Sequence, residues 1–199
     1  MSTFKTIIFG GKARCFGWIL LPLLVMAFVS TAWSDTSIPK SKQTTLSLYV
    51  TAKQAWEEWS ASPDTIHILD VRTPAEYIFI GHAPMAVNIP LKFLSGTLNP
   101  ITLKPGMPTN DNFIADVKKK FKETDTILVM CRSGSRSAAA VNLMAKAGFQ
   151  KVYNIVDGFE GDSLKNPDSY QNGKRIINGW KNSGAPWTYD LKRDLAYFP

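Results

Sequence analysis

ILVMCRSGSRSAAAVNLM, residues 127–144, decides the fold of this chain. Residues 127–130 are a short apolar run of the kind that forms a buried strand, and residues 137–144 favour a helix. The six residues between them are small or basic, so we expect a loop that joins the end of a strand to the start of a helix. In parallel-sheet folds, ligands bind at the carboxyl ends of the strands, which is where this loop begins.

Cys131 is the first residue of that loop. Backbone N–H groups at a helix start, and the positive end of the helix dipole, attract an anion placed there. Two arginines in the same loop add positive charge, and such surroundings favour the thiolate form of a cysteine. The alternative is an inert, buried thiol, which is the commoner fate of a lone cysteine. Because serine, glycine and arginine surround it, we favour a reactive Cys131.

The first 34 residues have the pattern of a secretory signal peptide. Lys5, Lys12 and Arg14 form a basic region, residues 15–29 are apolar, and small side chains precede Asp35. We expect cleavage before Asp35 and a periplasmic or secreted protein without stable membrane insertion. The alternative is an uncleaved N-terminal membrane anchor, although 15 apolar residues are few for a bilayer.

Charge and cysteine content limit the function of the remaining chain. Residues 1–34 hold three of the 23 basic residues and none of the 16 acidic ones, so the other 165 residues carry a net charge of +4. That balance suits small anions more than nucleic acid, and the cluster at 118–120 fits a solvated helix face. Cys131 is the one cysteine left after cleavage, so no internal disulfide is possible, and we expect a chemically used thiol.

Strand and helix patterns alternate along the chain, which predicts a three-layer α/β domain with a central parallel sheet of about five strands. Residues 35–45 are expected to be a flexible leader, 46–190 the domain and 191–199 a C-terminal tail. The domain's expected strands are 46–50, 66–69, 86–90, 127–130 and 152–155, and its expected helices 51–61, 73–77, 111–121 and 137–144. Gly148 is expected to end the last helix. After the last strand, the chain is expected to wrap the domain, anchored by Trp180, Trp187 and Tyr197.

Several motifs together resemble the rhodanese-like sulfurtransferases, in their single-domain form, over residues 46–187. They are LDVRTPAEY (69–77), GHAP (81–84), NIP (88–90), CRSGSRS (131–137), VDGFEG (156–161), Trp180 and Pro186-Trp187. The insertion at 96–110 and the segment 162–178 are longer than a minimal domain of this kind requires. Either segment could cover the pocket or bind a partner.

The resemblance implies that Cys131 takes a sulfur atom from an anionic donor such as thiosulfate, becomes a persulfide, and passes the sulfur to cyanide or a thiol. It implies no cofactor, no metal and no catalytic histidine, and we interpret His67 and His82 as structural. The loop residues expected to bind the donor are Arg132, Ser133, Gly134, Ser135, Arg136 and Ser137.

Two other arginines in these motifs, Arg136 and Arg72, also have expected roles. Arg136 either binds the donor or pairs with Asp70 or Glu76 to hold the loop. Asp70 and Arg72 are expected to support the wall of the active site.

Three other functions compete with sulfur-transfer catalysis. The domain could be a persulfide carrier that relays sulfur between partner proteins. A cysteine-dependent phosphatase or arsenate reductase is less favoured, because related phosphatase loops place five residues between cysteine and arginine, and this loop has four. A non-catalytic module is disfavoured by the intact cysteine.

Overall fold

The structure is a computed structural model that describes residues 38–198. The expected signal peptide and its cleavage point lie outside the described residues. Within them, the elements in chain order are β1 (Tyr49–Val50), α1 (Ala52–Ala61), β2 (Ile66–Asp70), α2 (Pro74–Phe79), β3 (Val87–Asn88), α3 (Phe113–Lys120), β4 (Thr126–Met130), α4 (Ser135–Lys146) and β5 (Lys151–Ile155). Short 3₁₀ turns form at Lys40–Lys42 and Trp180–Asn182.

The five strands form one sheet in the order β1-β5-β4-β2-β3, and every neighbouring pair is parallel. Two apolar clusters lie on opposite faces of this sheet. One contains Phe113 of α3 and Met144 of α4, and the other contains Ala55 of α1 and Tyr77 of α2. Helices therefore cover both faces, and the predicted three-layer parallel α/β fold is confirmed.

Local sequence explains where α1 and α2 begin. Thr51 and Thr73 each accept a hydrogen bond from the backbone three residues later, and Gln54 and Glu76 bond back to them as capping boxes. Such reciprocal bonds satisfy N–H groups that a helix start otherwise leaves unpaired. Pro74 adds a residue whose fixed φ suits the first helical position.

The expected flexible leader differs from what residues 38–45 do. Ile38 is buried, the Thr45 N–H donates to Asn142 Oδ1 of α4 at 2.8 Å, and the Lys42 carbonyl accepts from Asn154 Nδ2 of β5 at 2.9 Å. The prediction is therefore wrong for these residues, which pack on the domain through long-range contacts.

The chain after β5 wraps the domain as expected, with Trp180 fully buried. Trp187 is partly exposed, although its ring covers Gly81, and Tyr197 packs against Phe93 with ring centroids 5.9 Å apart. The N–H of Asn88 donates to the Leu195 carbonyl at 2.8 Å, so the C-terminal tail covers part of the β3 edge.

Within residues 38–198, no helix combines the length and the apolar character needed to cross a bilayer.

Candidate active site

Cys131 follows β4 directly, at the carboxyl end of a strand that lies in the middle of the sheet. The helix α4 begins at Ser135, two residues earlier than expected, so the loop itself is short. Gly134 caps the helix with a φ of 97°, a left-handed conformation that favours glycine. The strand, loop and helix thus occur in the order that the sequence predicts.

The sulfur of Cys131 lies against the start of α4. The Gly134 N–H donates to Sγ at 3.2 Å, and the Ser137 hydroxyl lies 3.5 Å from it. The cysteine is 2% exposed. One backbone N–H group therefore donates to the sulfur in the described residues, where the sequence predicts several.

Carbonyl groups of the loop are held by the segment that follows β5. Phe159 N–H donates to the Cys131 carbonyl at 2.7 Å, and Glu160 N–H donates to the Arg132 carbonyl at 3.0 Å. In a planar trans peptide, the N–H points opposite to the carbonyl that precedes it. The N–H groups of Arg132 and Ser133 therefore point away from the segment 156–161.

Other N–H groups of the loop are also free to bind an anion. Within the described part of the chain, no protein acceptor pairs with the backbone N–H groups of Arg132, Ser133, Ser135, Arg136 or Ser137. The last three belong to the first turn of α4, where a helix leaves its N–H groups unpaired. Together these groups form what we call the amide cradle, which has the composition of an anion-binding nest.

Two glycines allow this close packing. A Cβ at Gly134 would collide with the Val156 carbonyl, and a Cβ at Gly158 would lie 2.7 Å from the Ser133 nitrogen. Real Cβ atoms do not approach backbone so closely, and both glycines have positive φ. Any other residue at either position would move the cradle.

Asn154 of β5 lies behind the loop and was not predicted as a site residue. Its Oδ1 accepts from the Ser137 hydroxyl at 2.6 Å, and its Nδ2 donates to the Gly134 carbonyl at 3.2 Å and to the Lys42 carbonyl. Asn154 therefore joins the start of α4 to the N-terminal segment. An asparagine inside the apolar run at 152–155 is the sequence signal that could have identified it, and the structure buries its side chain fully.

Arg136 pairs with Glu76, one of the two alternatives that the sequence left open. Its two terminal nitrogens donate to the two Glu76 oxygens at 2.7 and 2.6 Å. Burial raises the pKa of Glu76, but the bonds and charge of Arg136, with the Thr73 cap, outweigh it and lower the pKa to about 2. This ion pair holds α2 against α4, and Asp70 pairs with a different arginine.

Asp70 and Arg72 form that other pair, at the end of β2. Both side chains are fully buried, and Arg72 Nε donates to both Asp70 oxygens at 3.0 Å. The Arg72 guanidinium also donates to the Gly81 carbonyl and lies 4.0 Å from the centre of the Phe159 ring. Phe159 is adjacent to Gly158, which packs on the loop. The Asp70–Arg72 pair therefore supports the loop through this segment.

The remaining loop side chains reach the surface. Arg132 is exposed, and its guanidinium has no protein partner among the described residues. Ser135 is exposed as well, and its hydroxyl lies 3.5 Å from that of Ser41 in the N-terminal segment. Ser133 is half-buried. Arg132 is therefore the loop cation that remains available to an incoming anion.

Neither histidine approaches the thiol through a contact in this structure. His82 is buried, stacks on Tyr77 with ring centroids 3.8 Å apart, and its two ring nitrogens lie 3.1 and 3.2 Å from the carbonyl oxygens of Tyr77 and Asp190. His67 lies 3.8 Å from the Asp125 carboxylate. No group of three or more metal-binding side chains occurs in residues 38–198.

Asp157 supports the same edge of the sheet. Its two oxygens accept from the N–H groups of Ala52 and Gly179 at 2.7 and 2.9 Å, which ties the start of α1 to the chain beyond β5. Burial raises the pKa of Asp157 despite these bonds. This carboxylate lies in the glycine-containing motif at 156–161, whose contribution to the site is thus structural support.

Comparison with known proteins agrees with this geometry. Residues 51–165 match the family model of the rhodanese-like domain. The chain is 38% identical over 91 residues to thiosulfate sulfurtransferase 16, chloroplastic, of Arabidopsis thaliana, covering 46% of this chain and 68% of that protein. It is 32% identical over 105 residues to the putative sulfur carrier protein YrkF of Bacillus subtilis, covering 53% and 45%.

A solved structure, Rv0390 from M. tuberculosis, is similar with a TM-score of 0.56 and 30% identity over 71% of this chain and 96% of that one. Its match extends over nearly the whole of the second protein, so the likeness concerns a complete domain. With the family model matching more than half of its residues, this chain belongs to the rhodanese-like domain family.

Proposed function

We propose that this protein is a sulfurtransferase that carries a sulfur atom on Cys131 as a persulfide. The observation that supports it is the amide cradle, which offers unpaired N–H groups beside a sulfur that already accepts one. Such groups stabilise a negative sulfur without a general base. The family, which includes sulfurtransferases and sulfur carriers by name, supports the same chemistry.

The first half-reaction with thiosulfate is a displacement at sulfur. The Cys131 thiolate attacks the outer sulfur of the donor and forms a new S–S bond to Sγ. The S–S bond of thiosulfate breaks, and sulfite leaves with its electron pair. The terminal sulfur of the persulfide then carries the negative charge, and the unpaired N–H groups of the cradle are suited to bind it.

The second half-reaction returns the enzyme to its starting state. Cyanide or a thiolate attacks the terminal sulfur, and the S–S bond to Sγ breaks with its electron pair returning to Cys131. Cyanide yields thiocyanate, and a thiolate yields a persulfide of the acceptor. No external oxidant or reductant enters either step.

Arg132 is suited to bind the donor because it directly follows Cys131 and its guanidinium is exposed and unpaired among the described residues. A guanidinium fork matches the oxygens of a sulfonate-like group. Arg136, in contrast, spends both terminal nitrogens on Glu76. We therefore assign donor binding to Arg132 and loop support to Arg136, with Asp70 and Arg72 as the supporting wall.

Sulfur loading of Cys131 tests this proposal directly. The purified protein is exposed to thiosulfate and digested without reductant, and mass spectrometry reads the peptide that contains Cys131. We expect the addition of one sulfur atom to that peptide, and no addition in Cys131→Ser. A Cys15→Ser variant is the matched control, because it removes the other cysteine of the full chain and should load normally. Wild-type protein that gains no sulfur from any sulfane donor would refute the proposal.

A persulfide carrier is the second candidate, favoured by the similarity to the putative sulfur carrier of Bacillus subtilis. Both functions share the loading step, and turnover separates them. Continuous thiocyanate formation from thiosulfate and cyanide indicates an enzyme. Stoichiometric loading with negligible turnover, followed by transfer to a protein thiol, indicates a carrier.

A phosphatase is disfavoured by the same ion pair that supports the loop. A phosphate-binding loop needs its arginine free to hold two oxyanion oxygens. Here Arg136 is bound at both nitrogens by Glu76, and it would have to leave a half-buried partner to bind substrate.

A further inference from the structure

Asn154 and Ser137 form a buried polar contact beside Cys131. Both residues are fully buried. The Ser137 oxygen lies 2.6 Å from Asn154 Oδ1 and 3.5 Å from the Cys131 sulfur. It also lies 3.0 Å from the Gly134 carbonyl oxygen. A serine hydroxyl has a single proton to donate, so these three acceptors compete for one hydrogen.

The orientation of the Asn154 amide is fixed by its other contacts. Its Nδ2 donates to the Lys42 carbonyl at 2.9 Å and to the Gly134 carbonyl at 3.2 Å. Carbonyl oxygens can only accept, so a flipped amide would place Oδ1 against two other acceptors. Asn154 Oδ1 therefore faces Ser137 as the acceptor of a hydrogen bond.

The Ser137 proton lies between Ser137 and Asn154. Two oxygens 2.6 Å apart need a hydrogen between them, and that distance is in the range of a strong O–H···O bond. The Gly134 carbonyl already accepts from the Ala138 N–H at 3.1 Å and from Asn154 Nδ2. With its proton given to Asn154, Ser137 presents only lone pairs to the Cys131 sulfur.

Lone pairs that face a sulfur favour some of its states over others. They can accept from a neutral S–H group, and they repel the negative charge of a thiolate. In a persulfide the charge lies on the terminal sulfur, one bond further from Ser137, where the amide cradle can bind it. A serine held in this way therefore favours the outward movement of charge that accompanies sulfur loading.

We propose that Asn154 is a positioning residue, which acts on Cys131 by holding the Ser137 proton away from the sulfur. This lowers the share of thiolate in the resting protein, and it raises the tendency of Cys131 to carry a sulfur atom. The second effect rests on the proposed sulfurtransferase function, and the first does not. The Lys42 carbonyl takes part, because it fixes the Asn154 amide from the N-terminal segment.

Charged side chains on the neighbouring elements also surround the loop. They form three ion pairs, which are Arg136 with Glu76, Arg72 with Asp70 and Lys42 with Asp162. Arg132 lies in the loop itself, and Asp157 after β5 accepts from two backbone N–H groups. The substitutions below change none of these charges. A change in the titration of Cys131 therefore reports on uncharged hydrogen bonds.

Titration of the thiol tests the proposal without any sulfur donor. All proteins are full length and carry Cys15→Ser, so that Cys131 is the one cysteine of the chain. The ultraviolet absorbance of the thiolate is followed against pH, and the signal of the same protein with Cys131→Ser is subtracted. We expect the midpoint in Asn154→Leu to fall by about one pH unit, because Ser137 becomes free to donate to the thiolate.

Substitution of Ser137 shows whether Asn154 acts through it. Ser137→Ala should not raise the midpoint, because the wild-type hydroxyl gives no proton to the sulfur. In the double variant S137A/N154L, the fall caused by Asn154→Leu should disappear. Asn142→Ala is the matched control, since it releases the Thr45 N–H of the N-terminal segment from α4 and keeps the contact between Asn154 and Ser137. It should keep the wild-type midpoint.

Sulfur loading measures the second effect separately. The loaded fraction is determined by mass spectrometry at a fixed ratio of thiosulfate to sulfite, at a pH where Cys131 is a thiolate in both proteins. We expect the equilibrium constant for loading to be about tenfold smaller in Asn154→Leu than in wild type. Wild-type protein that does not load would refute the proposed function, and the titration would still decide the role of Asn154.

Three results would overturn the proposal. A higher midpoint in Ser137→Ala means that the wild-type hydroxyl already donates to the sulfur, and this result decides even if Asn154→Leu does not fold. A midpoint that Asn154→Leu leaves unchanged, or lowers equally with and without Ser137→Ala, means that Asn154 does not act through the serine. An equal fall in Asn142→Ala assigns the effect to loosening of the N-terminal segment.

Discussion

Replacing Glu76 with glutamine removes the charge that holds Arg136 while keeping the size of the side chain. The pKa of Glu76 is lowered from 4.5 to about 2 in the folded protein. A difference of this size corresponds to at most about 3 kcal/mol of folding stability at neutral pH. The carboxylate is 22% exposed, so screening by solvent reduces the value, and we expect Glu76→Gln to lose about 2 kcal/mol at pH 7.

The stabilisation by the Glu76 carboxylate depends on pH. A carboxylate whose folded pKa is lowered stabilises the protein above its unfolded pKa of 4.5, and that contribution disappears as the pH falls towards 2. Urea unfolding followed by tryptophan fluorescence should therefore show a difference between wild type and variant that falls to less than half by about pH 3.

Glu57→Gln provides the matched control. Glu57 and Lys53 lie 4.0 Å apart on the exposed face of α1, and both side chains are more than half exposed. Loss of that surface pair should change stability by less than about 0.5 kcal/mol at any pH. If the Glu76→Gln difference were equally small at pH 7, or did not change with pH, the argument for a structural ion pair would be wrong.

Three further substitutions test other parts of the site. Arg132→Ala should raise the KM for thiosulfate roughly tenfold with little change in kcat, because a charged contact to the donor is lost; a fall in kcat at constant KM would contradict a binding role. Gly134→Ala should destabilise the fold by more than about 1 kcal/mol in urea unfolding, because its φ is positive and a backbone carbonyl occupies the Cβ position. Gly173→Ala, with a positive φ but open space around it, isolates the strain from the collision. Arg72→Met should cost about 3–5 kcal/mol by leaving the buried Asp70 charge unpaired, and the double variant D70L/R72M should recover much of that loss if the pair is the cause.

The sequence predicts the fold well because its signals are local. Alternating apolar runs and helical segments, two threonine caps and a proline place β2, α1 and α2 close to their observed bounds. The first strand is shorter than expected, since two of the five predicted residues pair with β5. Apolar pattern alone does not reveal how far a neighbouring strand extends.

The N-terminal segment shows where local reasoning ends. Residues 38–45 are polar, contain a proline and lack periodicity, which is also the composition of a flexible leader. Their order depends on Asn142 of α4 and Asn154 of β5, both roughly 100 positions away in the chain. Contacts over that separation exist only once the sheet has formed.

The partner of Arg136 depends on tertiary structure in the same way. Asp70 and Glu76 both lie near the end of β2 in the sequence, so charge could not distinguish between them. The buried Asp70 is already held by Arg72, two residues further on, while Glu76 lies on α2 where α4 passes. The two ion pairs thus differ in burial. Asp70 and Arg72, close in sequence, pair in the interior, whereas Glu76 and Arg136, distant in sequence, pair nearer the surface.

This division of partners has a consequence for the chemistry of Cys131. The backbone carbonyls of Cys131, Arg132 and Gly134 each accept at least one hydrogen bond from outside the loop, and the Arg136 side chain is held by Glu76. Among the described residues, the unpaired groups of the loop include five backbone N–H donors and the guanidinium of Arg132, all of which can receive an anion. Because Cys131 is 2% exposed, an incoming group must be small enough to enter among those donors. The outer sulfur of thiosulfate meets this condition while the oxygens of the donor stay with Arg132, whereas a phosphate in such a loop also needs Arg136, which Glu76 holds.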